Sequence, residues 1–185
     1  MITLREESFG ALERYASVPS TYETDRIFDV DEQGGSWELR ERRLERPYRK
    51  DYDAVESPHA WPLRFDVTGW TLIGAFDGQE RVGGAVAAFA TPGLDMLAGR
   101  RDLVVLWDLR VLLTARRIGV GSALFRAIEA WAVAKQCREL RVETQNTNLA
   151  ACRFYASQGC RLFEVNRNAY AGLPEEVQLL WSKAL

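Results

Sequence analysis

Histidine is nearly absent: His59 is the only one, in the loop-like setting Glu-Ser-Pro-His-Ala-Trp-Pro. A histidine-based catalytic triad or metal motif therefore has no partner pattern to build on, and His59 is expected at the surface. Cysteine is scarce as well. Cys137, Cys152 and Cys160 are odd in number and show no Cys-x-x-Cys spacing, which argues against a disulfide framework or a structural zinc site and fits a reducing cytoplasm. No metal is expected. There is no long apolar run: the longest, around residues 82–90, is far shorter than the roughly 20 residues of a membrane-spanning helix. The opening Met-Ile-Thr-Leu-Arg-Glu-Glu also lacks the basic stretch and apolar block of a secretory signal, so no membrane partner is expected. Nor is there an excess of one charge. With 24 basic and 26 acidic side chains and a net charge of -2, the chain has no global field that would attract nucleic acid.

What is present is enough apolar material, 47% over 185 residues, for one sizeable core, read here as a single domain over residues 1–185. Before about Asp66 the chain is charged and irregular. Residues 26–30 and 37–44 have strand character, with Trp37 and Leu39 on one face. The basic residues between Arg40 and Lys50 are diluted by glutamates and by Asp51 and Asp53, which suits a substrate-side surface better than a nucleic-acid site. From Trp70, Trp-Thr-Leu-Ile-Gly-Ala-Phe and Arg-Val-Gly-Gly-Ala-Val-Ala-Ala-Phe flank an Asp-Gly turn and predict a hairpin. After Pro92 and Gly93, residues 103–111 read as a central strand.

The second half is more regular. Val120, Leu124, Ala127, Ile128 and Trp131 recur at helical spacing, predicting a helix from Gly119 through about Lys135. A strand at 140–144, a helix at 149–158 stopped by Gly159, a strand at 161–165 and a last strand at 177–181 that closes the sheet follow. The pattern predicts a mixed α/β sheet flanked by helices, not a bundle or barrel.

Between the central strand and the first long helix lies Thr-Ala-Arg-Arg-Ile-Gly-Val-Gly-Ser-Ala-Leu, which places Arg116, Gly119 and Gly121 in the pattern Arg-x-x-Gly-x-Gly. At a helix N-terminus, glycines let a ligand approach the backbone, the first-turn N–H groups lack partners, and the helix dipole adds positive potential. Those properties suit a pyrophosphate. The turn is not a Walker A loop, which needs Gly-Lys-Ser/Thr, nor a dinucleotide fingerprint, whose third glycine is Leu124 here. Downstream, Asn148-x-x-Ala151-x-x-Phe154-Tyr155 opens the second helix.

These two motifs, in this order, resemble the GNAT (Gcn5-related) N-acetyltransferase superfamily, over roughly residues 70–161. The stretch Glu-Thr-Gln-Asn-Thr-Asn-Leu-Ala-Ala-Cys-Arg-Phe-Tyr, with Tyr170 and the Glu176-Val177-x-Leu179-x-Trp181 ending, is most similar to the streptothricin acetyltransferase branch. Where that branch has Gly-Phe and then Gly-Gly-x-Asp, this chain has Gly159-Cys160 and then Phe163, Glu164 and Asn166. The resemblance implies a mostly antiparallel sheet with a splayed central strand, acetyl-coenzyme A as co-substrate and a small-molecule amine as acceptor, with homodimerisation left open.

It also implies site residues. Backbone groups of Leu109 and Val111 pair with the pantetheine arm. Amides of Arg116, Arg117, Ile118, Gly119, Val120, Gly121 and Ser122 hold the pyrophosphate. Asn148 reaches the cofactor, Ala151 packs beside its tail, and Tyr155 lies near the sulfur as the acid for the departing thiolate. Asp108 interrupts an apolar strand and is the candidate base; its alternation parity places it with Arg110 and opposite Trp107 and Leu109. Glu143 and Tyr170 are weaker candidates for the acceptor side. Tyr155 and Asp108 have plainer alternatives: Tyr155 as a core aromatic, Asp108 in a surface ion pair with Arg110. Protein or peptide N-acetylation and a non-catalytic acyl-coenzyme A module are the competing functions.

Overall fold

The computed structural model describes residues 1–185 and divides into two compact units. Unit 1 is Met1–Ser20, Asp51–Arg141 and Ala184–Leu185; unit 2 is Thr21–Lys50 and Val142–Lys183. In chain order the elements are β1 (Ile2–Glu7), α1 (Leu12–Ala16), β2 (Thr21–Gln33), β3 (Ser36–Asp51), α2 (Tyr52–Val55), α3 (Trp61–Arg64), β4 (Thr71–Asp77), β5 (Glu80–Phe89), β6 (Leu103–Val111), α4 (Val120–Ala134), β7 (Glu139–Gln145), α5 (Leu149–Ser157), β8 (Arg161–Asn166) and β9 (Gln178–Ala184).

Unit 1 holds β1, β4, β5 and β6 in that lateral order, together with the start of β7. The β1/β4, β4/β5 and β5/β6 ladders are antiparallel, and the β4–β5 hairpin turns at Asp77 and Gly78 as predicted. The strands β4 and β5 read as continuous apolar runs because both their faces are covered. Against one face packs an aromatic cluster in which Tyr15, Trp61 and Trp70 join Leu72, Val86, Ala88, Leu103 and Val105. Helix α4 also packs on β4, β5 and β6. Its buried residues are Val120, Leu124, Phe125, Ile128 and Ala132. The buried stripe thus follows an i, i+4 row with Phe125 beside it, and Ala127 and Trp131, expected on it, are only partly covered.

Strand β6 carries a bulge. Leu106 pairs with Ala87 and Asp108 with Val86, so Trp107 is the extra residue. Strict alternation would put Trp107 and Asp108 on opposite faces, as the sequence pattern suggested. The bulge puts them on one side: Trp107 stacks on Trp70 and Phe65 at 5.4 Å each, while the Arg110 guanidinium lies 4.7 Å over the ring of Tyr15, a member of the same cluster. Tyr15 reaches this position only because Gly84 has no side chain; a Cβ there would sit 2.7 Å from the tyrosine ring.

Unit 2 holds the end of β7, then β9 and β8 in that order, and separately the β2–β3 ribbon. The prediction that the last strand closes the sheet is corrected: β9 lies between β7 and β8. Burial explains the order, because Leu179 and Trp181 of β9 are buried while β8 is mostly exposed. The ribbon strands are far longer than the short segments expected, because cross-strand charge pairs stabilise a stretch with little apolar content. Arg42 meets Asp29 at 3.0 Å and Arg43 meets Asp25 at 3.5 Å. Asn146, buried, ties three segments: its side chain donates to the Phe28 carbonyl at 2.9 Å and accepts from the Val177 amide at 2.8 Å.

The seven strands of β1, β4–β9 and the flanking helices make the mixed, mostly antiparallel α/β sheet that was expected. No helix is long and apolar enough to cross a membrane. Leu124, fully buried beneath α4, provides a test of this core. Leu124→Ala is expected to cost about 2–5 kcal/mol, read as a lower urea midpoint at unchanged slope.

Candidate functional site

The turn before α4 has the backbone geometry of an anion cradle. Arg117 has φ +67° and Gly119 φ +91°, so two positions close together present left-handed backbone. Gly119 is the N-cap of α4, and nothing lies within 4 Å of where its Cβ would be. The first intrahelical bond runs from the Ala123 amide to the Gly119 carbonyl at 2.9 Å. The amides of Val120, Gly121 and Ser122 precede it and belong to the unpaired first turn. Residues 116–119 are exposed. The Arg116 side chain folds back so that Nε donates to the Val111 carbonyl at 3.0 Å, which ties the turn to the end of β6, and burial lowers its guanidinium below the ordinary arginine value. Leu109 is half-buried and Val111 buried on the same strand.

Asp108, just before those two residues, is not in a surface ion pair. Its side chain is 14% exposed and that of Arg110 only 2%. Arg110 Nε and Nη2 both meet Asp108 Oδ2, at 2.8 and 2.5 Å, so the other carboxylate oxygen is not committed to the guanidinium. Burial pushes the Asp108 carboxyl above the ordinary aspartate range, against the opposing pull of Arg110. A base whose affinity for a proton is raised in this way is a better acceptor, provided that it is ionised.

In unit 2, Asn148 caps α5: its Oδ1 accepts from the Ala151 amide at 3.1 Å. That side-chain oxygen is therefore used to begin the helix. Ala151 is half-buried. Tyr155 is 6% exposed and sits edge-on to Phe154, with ring centroids 5.2 Å apart.

The two weakest candidates lie together. The Tyr170 hydroxyl donates to Glu143 Oε1 at 2.5 Å, and Gln178 Nε2 donates to Glu143 Oε2 at 2.8 Å. Burial, and then the charge of Glu143, pushes the Tyr170 phenol well above its ordinary value. The residues with which sequence reasoning failed to connect them are Tyr48, Lys50 and Glu176. Glu176 is 1% exposed and takes hydrogen bonds from the Tyr48 hydroxyl and from Lys50 Nζ, and that ammonium lies 5.4 Å over the Tyr170 ring. Unit 2 thus gathers two carboxylates, two phenols and one ammonium. Tyr22, whose hydroxyl is 2.6 Å from that of Thr147, stacks beside Tyr48. The available signal was Tyr-Arg-Lys at the end of a charged strand, which reads as solvated surface until a buried acid is known to face it.

Asn166, where the streptothricin branch has aspartate, accepts from the Asn168 amide at 3.1 Å and is exposed. It fills an Asx-turn position without carrying charge. His59 is exposed, as expected.

A left-handed glycine opening α4, one short turn after a bulged, acid-bearing central strand, is matched by sequence kinship. The family model described as "Acetyltransferase (GNAT) family" matches residues 35–160. The chain belongs to that family. Its relatives include the streptothricin acetyltransferase of Escherichia coli, 29% identical over 84% of this chain and 80% of the relative. Streptothricin acetyltransferase A of Bacillus subtilis (strain 168) is 23% identical over 80% of each chain. Among solved structures, a candidate streptothricin acetyltransferase of Bacillus anthracis str. Ames, in complex with acetyl coenzyme A, superposes with a TM-score of 0.80 over 100% of both chains at 19% identity. Nourseothricin acetyltransferase gives 0.75 over 99% of this chain and 98% of the other at 22% identity. These structures share the GNAT fold with the present chain, which is an acyltransferase.

The Lys50–Glu176 pair is nearly solvent-free, at 10% and 1% exposure. Removing its negative partner takes away the carboxylate that neutralises a buried ammonium, so Glu176→Gln is expected to destabilise the protein by about 3–5 kcal/mol in chemical denaturation.

Proposed function

We propose that the chain transfers an acetyl group from acetyl-coenzyme A to a primary amine of a small cationic molecule of the streptothricin type, acting as one acetyltransferase domain. The observation that carries the co-substrate is the turn at Gly119: left-handed, exposed, and with open space where a side chain would stand. Such a turn fits a diphosphate, which the amides from Arg116 to Ser122 would hold, with backbone groups of Leu109 and Val111 for the pantetheine arm. Asn148 and Ala151 are proposed on the cofactor side, Asn148 through groups other than the oxygen that caps α5. Acetyl-coenzyme A supplies an acetyl group already activated as a thioester.

The chain's own residues supply the proton chemistry. An alkylammonium with a pKa near about 10 must lose a proton before it can attack, and Asp108 is the proposed acceptor of that proton. The Tyr155 phenol is the proposed donor to the departing thiolate. Kinship with streptothricin acetyltransferases supports an amine-bearing antibiotic as acceptor. Glu143 supports it too: the donors that reach it, Tyr170, Gln178 and Gln145, are all neutral, so an ammonium would be the first cation to pair with it.

A thiol-release assay with acetyl-coenzyme A tests the acceptor. Streptothricin-type amines are expected to turn over, and turnover of peptides in preference to them would assign a protein acetyltransferase instead. Tyr155→Phe is expected to lower kcat by about 10²-fold while leaving coenzyme A affinity by calorimetry nearly unchanged; equal turnover would remove Tyr155 as the acid. For Asp108 the sign follows from its role. The base works when ionised, so kcat/KM falls as pH drops through its raised pKa. Asp108→Asn should abolish that acid limb along with most of the turnover, and an unchanged profile would assign the base elsewhere.

A further inference from the structure

Asp108 does not have the Arg110 guanidinium to itself. Asp53, at the second position of α2, lies 3.0 Å (Oδ1) and 3.2 Å (Oδ2) from Arg110 Nη1. The same Nη1 donates to the Val18 carbonyl at 3.0 Å. Four hydrogen bonds thus hold one guanidinium: Nε and Nη2 on Asp108, and Nη1 on Asp53 and Val18. Its plane also lies on the Tyr15 ring. We propose that Arg110 is a positioning residue of acetyl transfer, shared between two carboxylates, and that the charge on Asp53 raises the pH at which Asp108 accepts a proton.

The inference rests on the reading of Asp108 as the base and adds a second carboxylate to it. Three groups face Asp108: Arg110 from its own strand, the Tyr15 phenol from α1 and Asp53 from α2. With both aspartates ionised, one positive and two negative charges share a largely buried space, and the net charge is negative. In such a pair the charge on Asp53 makes Asp108 hold its proton to a higher pH. The direction agrees: burial raises the Asp108 pKa most, Arg110 opposes it, and Asp53 adds to the rise. Asp53 is the more exposed of the two, at 27% against 14%, and its Oδ2 also accepts from the Ser20 amide at 3.1 Å. It is therefore the partner that can be neutralised with least disturbance, because an asparagine carbonyl still accepts from Ser20.

Arginine at position 110 is required by this sharing. Its fork presents separate N–H groups in fixed directions to Asp108, Asp53 and Val18, whereas a lysine ammonium would supply the charge without the fork. A purely structural Arg110 would shift the Asp108 midpoint and leave the rate profile alone, so the titration is read together with kcat/KM.

The experiment combines carboxyl-carbon NMR of Asp108 across pH with the pH profile of kcat/KM, for the wild type, Asp53→Asn, Arg110→Gln and Arg110→Lys. In Asp53→Asn the Asp108 midpoint should fall by about one pH unit, and the acid limb of kcat/KM should fall with it. In Arg110→Gln both should rise. Should Arg110→Gln not fold, Arg110→Lys serves instead: its limb should stay near that of the wild type while kcat drops more than tenfold. An unmoved Asp108 midpoint in folded Asp53→Asn would overturn the sharing while leaving Asp108 as the base. A midpoint that moves while the rate profile stays fixed would overturn both, because Asp108 would then titrate without taking part.

Discussion

A buried cation must be compensated where it stands, and in unit 1 that requirement falls on Arg110. Its guanidinium is nearly inaccessible and is met by Asp108 on its own strand, by Asp53 on α2 and by the Val18 carbonyl after α1. The bulge at Trp107 is what brings it there, since an unbulged β6 would turn Asp108 and Arg110 toward the opposite face of the sheet. Gly84 completes the arrangement by admitting Tyr15 as the surface on which the guanidinium lies. One irregular residue in a strand and one missing side chain in its neighbour therefore decide the surroundings of the proposed base.

The regular parts of the molecule were legible from the sequence because each carries one dominant signal. The hairpin announced itself through Asp77-Gly78, and β6 and α4 through their periodicity; Gly159, with φ +86°, stops α5 where it was expected to. The turn at Gly119 was legible for the same reason. The bulge was not, because Trp-Asp-Leu-Arg alternates in sequence whether or not the backbone does. The clusters around Arg110 and Glu176 were hidden for another reason: each joins residues far apart in the chain. Asp53 and Arg110 are separated by 57 positions and Lys50 and Glu176 by 126, and neither spacing leaves a local pattern. The short helices α1 to α3 escaped notice because so few residues give propensity little to sum over.

The family match and the chemistry of unit 2 bear on different questions. Membership of the GNAT family fixes the type of reaction, since residues 35–160 match a family defined by acetyl transfer. It leaves the acceptor to local side chains. On the proposed acceptor side, unit 2 offers one carboxylate, Glu143, served by neutral donors, and near it a second, Glu176, paired with Lys50.

The base of the β2–β3 ribbon is fastened twice within unit 1. The Tyr52 amide donates to the Ser20 carbonyl at 3.0 Å, and Asp53 accepts from the Ser20 amide while holding Arg110. Residues 21–50 thus depart from and return to one anchored point. Closing a longer or shorter excursion at such a point changes the entropy only logarithmically with length. The ribbon's length and charge pattern can consequently be exchanged as a module without disturbing the Ser20–Asp53 bond at which it begins and ends.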